Sequence, residues 1–202
     1  VLNRTDDKTK VIFLCSPNNP TGNLLNRDEM LKIIDSFDGI VVIDEAYIDF
    51  ASEASWLERL DSLPNVIVLQ TFSKAWGMAS VRCGMAFASE EIISFFNKVK
   101  YPYNINLLTQ DFVKKMLDDE KIKNQRVALL NEERKRVAEA IASLPITKIV
   151  YPSDANFVLV KVTDATAIYN ELMNRGVIVR NRNSVTLCNN CLRITIGTPE
   201  EN

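Results

Sequence analysis

Continuous apolar runs punctuate the first half of the chain: Val11-Ile12-Phe13-Leu14-Cys15, Ile40-Val41-Val42-Ile43, Val66-Ile67-Val68-Leu69 and the looser Cys83-Gly84-Met85-Ala86-Phe87-Ala88. Unbroken rather than alternating hydrophobicity predicts strands buried on both faces of a mainly parallel sheet. Helical spacing fills the intervals. Asn26 is placed to cap a helix over about 27–37, with Glu29 three residues on as in a capping box, and with Met30, Leu31, Ile33, Ile34 and Phe37 on one side. Gly39 ends that helix, and a shorter one is predicted near 55–60. The resulting order of strand, helix, strand, helix, strand predicts right-handed crossovers and helices on both faces of the sheet.

A helix over 90–100, capped by Ser89, is broken by Tyr101-Pro102-Tyr103-Asn104. From Leu107 to about Leu144 the pattern is helical almost throughout, until Pro145 stops it. Short strands then follow at 146–150, 157–162, 177–179 and 192–196, around a helix over 165–175. The prediction is an α/β fold in which residues 1–115 form part of a large domain with a mainly parallel sheet. Residues 116–202 form a linking helix and a small α+β C-terminal domain.

Composition narrows the function. The chain has 202 residues, 47% hydrophobic and 25% charged, with a formal net charge of −2 that argues against a nucleic-acid face. No apolar run is long enough to span a bilayer, and the polar N-terminus lacks the apolar core of a secretion signal, so the expected setting is cytoplasmic, without membrane attachment. Val1 opens the chain without a methionine and leads at once toward a strand, so the chain reads as a piece of a longer protein. Cys15, Cys83, Cys188 and Cys191 are scattered and read as reduced thiols. One isolated Cys188-Asn189-Asn190-Cys191 pair, in a chain with no histidine, does not complete a tetrahedral zinc site, so no metal is expected. The absence of histidine also removes Ser-His and Cys-His triads.

The chemistry concentrates in Thr71-Phe72-Ser73-Lys74 and Arg82. Lys74 follows an apolar strand, at the carboxyl end where α/β sheets place ligands, and an amine there is able to hold an aldehyde as a Schiff base. Thr71, Ser73 and Arg82 are donors of the kind that grip a phosphate. Aldehyde and phosphate together suggest pyridoxal phosphate. Asp44 directly follows four β-branched apolar residues, so its carboxylate calls for a cationic partner, which a protonated pyridine nitrogen would supply. Ser16-Pro17-Asn18-Asn19-Pro20-Thr21-Gly22 is dense in turn formers that hold its asparagine amides in place. Each feature alone has a plainer reading: a surface lysine, a capping carboxylate, a connecting loop. Each of those readings weakens when all are present at successive strand ends.

Together, the phrases Ser-Pro-Asn-Asn-Pro-Thr-Gly, Asp-Glu-Ala-Tyr, Thr-Phe-Ser-Lys-Ala and Cys-Leu-Arg-Ile-Thr-Ile-Gly-Thr resemble the fold-type I pyridoxal-phosphate aminotransferases, and among them the histidinol-phosphate aminotransferases. The resemblance implies Lys74 as the Schiff-base lysine, Asp44 as the partner of the ring nitrogen, and Asn19 and Tyr47 on the ring's phenolic oxygen. Thr71, Ser73 and Arg82 match phosphate contacts, while Arg193, Arg180 and Asn156 fall to substrate. It further implies ping-pong transamination between histidinol phosphate and 2-oxoglutarate or glutamate, in a homodimer of the full-length protein. Two guanidiniums, Arg180 and Arg193, suit the phosphate dianion, and Arg193 alone suffices for a carboxylate.

A related aminotransferase or decarboxylase for aromatic or phosphorylated amino acids, and a non-catalytic pyridoxal-phosphate module, are the alternatives. The family's N-terminal portion, with a phosphate loop, a ring-stacking aromatic and a tyrosine reaching the neighbouring subunit, has no match in this chain. Neither does its last helix. The chain by itself is therefore expected to hold cofactor loosely, to expose apolar surface and not to be a competent enzyme.

Overall fold

A computed structural model describes all residues, Val1–Asn202. It divides into two compact units, Val1–Pro17 with Leu25–Asn124, and Asn18–Leu24 with Gln125–Asn202.

In the first unit, β1 (Val11–Cys15), β2 (Ile40–Asp44), β3 (Val66–Thr71) and β4 (Gly84–Phe87) form one sheet in the order β1-β2-β3-β4. β1, β2 and β3 are parallel, as the apolar runs predict. β4 runs antiparallel to β3, with Thr71 opposite Gly84. The connection over 72–83 contains only a single 3-10 turn, Ala79–Val81, and no crossover helix to bring the chain back in parallel.

Helix α1 (Arg27–Ser36) begins where Asn26 accepts a hydrogen bond from Glu29 N at 3.0 Å. The Glu29 carboxylate does not reach back to complete the box; it pairs with Lys32 at 2.6 Å. The next crossover is a 3-10 segment, Trp56–Ser62, capped by Ser55. Met30 and Ile34 of α1, Trp56 of that segment and Leu63 just after it pack in one cluster with Ile12, Leu14, Val41, Ile43, Val66 and Val68.

Both crossovers therefore cover the same face, contrary to the expectation of helices on both. Two right-handed connections that step in the same direction across a sheet land on the same side of it. β2 is buried on both faces, whereas in the edge strand β1 Val11 and Phe13 are 44% and 67% exposed. The edge strand alternates because only its Ile12 and Leu14 meet the crossover layer.

α2 spans Glu90–Val99; Ser89 precedes it without a side-chain capping bond. The predicted long helix is two, α3 (Leu107–Leu117) and α4 (Glu120–Ala142). Asp118-Asp119-Glu120 explains the break: acids oppose the dipole at a helix's C-terminus and favour it at an N-terminus. The Asp119 carbonyl accepts from Ile122 N at 2.9 Å, which starts the new helix.

The second unit holds β5 (Thr147–Val150), β6 (Phe157–Val162), β7 (Arg180–Asn181) and β8 (Cys191–Thr195), all antiparallel, in the order β5-β6-β8-β7. α5 (Ala165–Asn174) starts at Asp164, whose carboxylate accepts from Thr166 N and Ala167 N. One sheet face buries Val158, Val160, Val162, Val179 and Leu192 against Ala138 and Ile141 of α4 and Ile168 and Leu172 of α5. The opposite face gathers Leu159, Cys188 and Cys191, with Tyr151 and Val185.

The strand predicted at 177–179 forms instead at Arg180–Asn181. Gly176, at φ +78, donates to Met173 O, and Val177 N reaches back to Leu172 O. These bonds make residues 176 and 177 the helix's Schellman cap, so pairing begins only beyond them.

Candidate active site

Because β1, β2 and β3 are parallel, their carboxyl ends share one edge of the first unit's sheet, where open α/β sheets receive ligands. Asp44 closes β2 in register with Cys15 on one side and Leu69 on the other. Its Oδ1 accepts from Ala46 N at 3.0 Å, which fixes the turn after the strand. The carboxylate is half-buried and forms no ion pair. Burial, and then the Asp44 charge, push the Cys15 thiol above its ordinary pKa.

Lys74 lies in the connection between β3 and β4, and its Nζ stands 5.1 Å from the ring centroid of the buried Tyr47. That is cation–π range. Like Asp44, Lys74 has no ion-pair partner. The turn around it is closed by Gly77 N donating to Lys74 O at 3.0 Å, with Gly77 at φ +67. Phe72 and Met78 bury themselves with Val113 of α3 and so anchor the connection at both sides of Lys74.

Thr71 Oγ1 accepts from Ser73 N at 3.0 Å. Arg82 adopts a left-handed backbone, φ 54, and its Nη1 donates to Ala79 O at 2.9 Å, leaving the rest of an exposed guanidinium outward. Asp44, Tyr47, Thr71, Ser73, Lys74 and Arg82 are thus all placed in the first unit, at or just beyond the ends of β2 and β3.

Sequence reading overlooked Glu45, which is 1% exposed. Its Oε1 accepts from Trp56 N at 2.7 Å, and its Oε2 accepts from Gln70 Nε2 at 2.9 Å and from the Ser55 hydroxyl. Three donors satisfy a buried carboxylate. They tie the turn after Asp44 to the start of the following crossover. An acid placed directly beside Asp44 at the end of an apolar run was the available signal. Lys123, also overlooked, pairs with Asp49 at 2.8 Å and lies 5.3 Å from the Trp76 ring.

Asn19, Asn156, Arg180 and Arg193 are placed in the second unit. Within the loop over 18–24, Asn18 Nδ2 donates to Thr21 Oγ1 at 2.7 Å. The loop is fastened by Asp154, whose N donates to Gly22 O at 2.7 Å and whose Oδ2 accepts from Leu24 N at 3.2 Å. Arg193 Nη1 donates to Asn19 Oδ1 at 2.7 Å, and its guanidinium lies 4.9 Å from the Phe157 ring centroid. Arg180 is the cross-strand partner of Arg193. Asn156 holds the end of β8 through its carbonyl, which accepts from Ile196 N at 2.9 Å. No group of three or more Cys, Asp or Glu side chains is placed to share a metal ion.

The profile of the family described as aminotransferase class I and II matches residues 2–202. The chain is similar to the histidinol-phosphate aminotransferase of Parabacteroides distasonis, with 55% identity over 202 residues, which is 100% of this chain and 59% of that protein. A similar relative in Bacteroides fragilis strain YCH46 bears the same name, is 57% identical over 197 residues and is covered over 57% of its length, against 98% of this chain. The chain thus spans under three fifths of the curated relatives it matches. Among solved structures, the histidinol-phosphate aminotransferase from Sinorhizobium meliloti in complex with pyridoxal-5'-phosphate superposes with a TM-score of 0.84 at 26% identity, over 95% of this chain and 54% of that one.

Proposed function

This chain belongs to the aminotransferase class I and II family, and we propose that the full-length protein, of which this chain is an incomplete piece, transfers the amino group of L-histidinol phosphate to 2-oxoglutarate with pyridoxal phosphate as cofactor, a step of histidine biosynthesis. One observation carries the reading: an acid, Asp44, and an amine, Lys74, stand at the strand ends of one unit, and neither has an ion-pair partner. Such a donor set fits a ligand that brings both a basic ring nitrogen and an aldehyde.

Bound there, pyridoxal phosphate supplies an electron sink for a carbanion beside the transferred nitrogen. Asp44 would accept a charge-assisted hydrogen bond from the ring nitrogen and so favour its protonated form. Lys74 would hold the cofactor's aldehyde carbon and would be the group placed to carry the proton at the substrate's Cα. Tyr47 contributes its hydroxyl to the ring's oxygen and its ring face to the position of Lys74 Nζ. Thr71, Ser73 and Arg82 hold the cofactor's phosphate.

In the second unit, Arg180 and Arg193 are assigned to the phosphate of the amino substrate and Arg193 to the carboxylate of 2-oxoglutarate, with Asn19 steadying Arg193 through its Oδ1. Asn156 is assigned to substrate as well.

We further assign the protein to the cytoplasm, consistent with four free cysteines, and, when full-length, to a homodimer. Val99, Tyr101, Tyr103, Leu107 and Leu108, between 73% and 95% exposed, offer apolar surface for such an interface. No helix is long and apolar enough to cross a membrane.

Steady-state comparison of amino donors tests the substrate. Histidinol phosphate should exceed phenylalanine and tyrosine in kcat/KM by at least about tenfold, since a site built for charged groups rejects a substrate lacking them. Equal values would move the protein to an aromatic aminotransferase.

A further inference from the structure

The face of the second unit's sheet that carries Arg180 and Arg193 holds two more cations. Successive side chains on a strand point to opposite faces. Asn181 turns toward α5, where its amide donates to Thr166 Oγ1 at 3.3 Å, so Arg180 and Arg182 share the other face. Arg182 N donates to Cys191 O at 2.9 Å, which places Arg182 beside Cys191 as Arg180 is beside Arg193. Across β6, Arg193 faces Leu159 and Cys191 faces Lys161. Cross-strand partners lie on one face. One surface therefore collects Arg180, Arg193, Arg182 and Lys161 around the buried thiols.

β6, β7, β8 and the connection 182–190, which carry these four cations, contain no Asp or Glu. The Lys161 charge acts on this face, since it opposes the rise that burial imposes on the Cys191 thiol. Arg182 is half-buried, and its Nε is sequestered from solvent with no hydrogen-bond partner. By contrast, Arg27, Arg136 and Arg175 each pair with a glutamate. A desolvated donor without an acceptor is unfavourable in isolation and is relieved by an anion.

We propose that Arg182 is a specificity-determining residue of the substrate site, the third guanidinium of a face that selects a phosphate monoester dianion over a carboxylate. The proposal rests on the reading of Arg180 and Arg193 as the phosphate pair. Coulomb attraction grows with the product of the charges, so each added cation favours a dianion about twice as much as a monoanion. Charge, rather than shape, is what Arg182 adds.

The test uses the pyridoxal-phosphate-loaded protein and measures binding of inorganic phosphate and, separately, of glutarate by titration calorimetry. Arg182→Met keeps the aliphatic stem over the thiols and removes the charge; Arg182→Lys keeps the charge. Arg182→Met should weaken phosphate about fivefold and glutarate, whose carboxylates each bring a single charge, by no more than about twofold, leave the thermal midpoint unchanged, and flatten the salt dependence of phosphate binding. Arg182→Lys should restore most of the phosphate affinity. Unchanged phosphate binding in Arg182→Met, beside weakened binding in Arg180→Ala, would overturn the proposal and leave Arg182 as packing. Equal weakening of phosphate and glutarate, or a lowered midpoint, would likewise make it structural. Unchanged phosphate binding in Arg180→Ala as well would instead remove the underlying phosphate reading.

Discussion

Arg180 and Arg193 stand directly opposite each other on the antiparallel pair β7 and β8. Like charges in that position oppose pairing, and an anion between them reverses the sign of the interaction. Arg180→Ala should therefore impair the half-reaction with histidinol phosphate about ten- to a hundredfold, the loss of one charge-assisted contact, and spare the half-reaction with 2-oxoglutarate. Arg193→Ala should impair both. Single-turnover kinetics on each half-reaction check this; equal losses in the two halves for Arg180→Ala would make that residue structural.

Asp44→Asn should retain cofactor and lose turnover on the order of 10²–10³-fold, because an amide does not keep a ring nitrogen protonated as a carboxylate does. Cofactor content and kcat measured on the same preparation decide it. A near-normal kcat would remove Asp44 from that role.

Much of this arrangement was legible from sequence, for identifiable reasons. The runs ending at Cys15, Asp44 and Leu69 gave the parallel strands, because four or five consecutive apolar residues need two covered faces or a sheet interior. The reversal of β4 was not legible, since a short apolar run carries no direction, and only the lack of a helix between Phe72 and Cys83 hints at it. Phe13 looked buried for the same reason that Val42 is, and nothing local distinguishes an edge strand from its neighbour. The acid run Asp118-Asp119-Glu120 held the information that splits α3 from α4, but helical periodicity on both sides masked it. Glu45 was hidden by Asp44, because adjacent acids at the end of a strand read alike in sequence and only the structure shows what each one meets. The grouping of Asn18–Leu24 with the second unit depends on partners 130 residues away in sequence, such as Asp154 on Leu24. No local pattern reports contacts of that separation.

The second unit should show an acid transition governed by Glu133. Hydrogen bonds from Arg136, then from Asn202, lower its carboxyl pKa from the ordinary 4.5 to about 2. A depressed carboxyl stabilises the fold fully above its unfolded pKa, and that contribution fades as pH falls from 4.5 toward 2. Thermal midpoints recorded over that window should fall more steeply for the parent than for Glu133→Gln, and the two should converge at the acid end. Parallel curves would show that Glu133 gains nothing on folding.

Gly22→Ala should destabilise the loop that presents Asn19. Gly22 has φ +83, and a Cβ there would run into the Ser153 side chain, which is itself held by a 2.6 Å hydrogen bond to Phe157 O. The left-handed backbone alone costs an alanine about 1–2 kcal/mol, and the clash adds to it. Denaturant unfolding of parent and variant measures the difference. A loss below about 0.5 kcal/mol would show that the loop moves aside without penalty.

In the proposed reaction Lys74 is the amine that holds the cofactor. Borohydride reduction of the pyridoxal-phosphate-loaded protein, followed by peptide mass mapping, tests it most directly. A single reduced adduct is expected on the peptide containing Lys74, with loss of both that adduct and the visible-wavelength absorbance in Lys74→Ala. An adduct on any other lysine, or one that persists in Lys74→Ala, would contradict it.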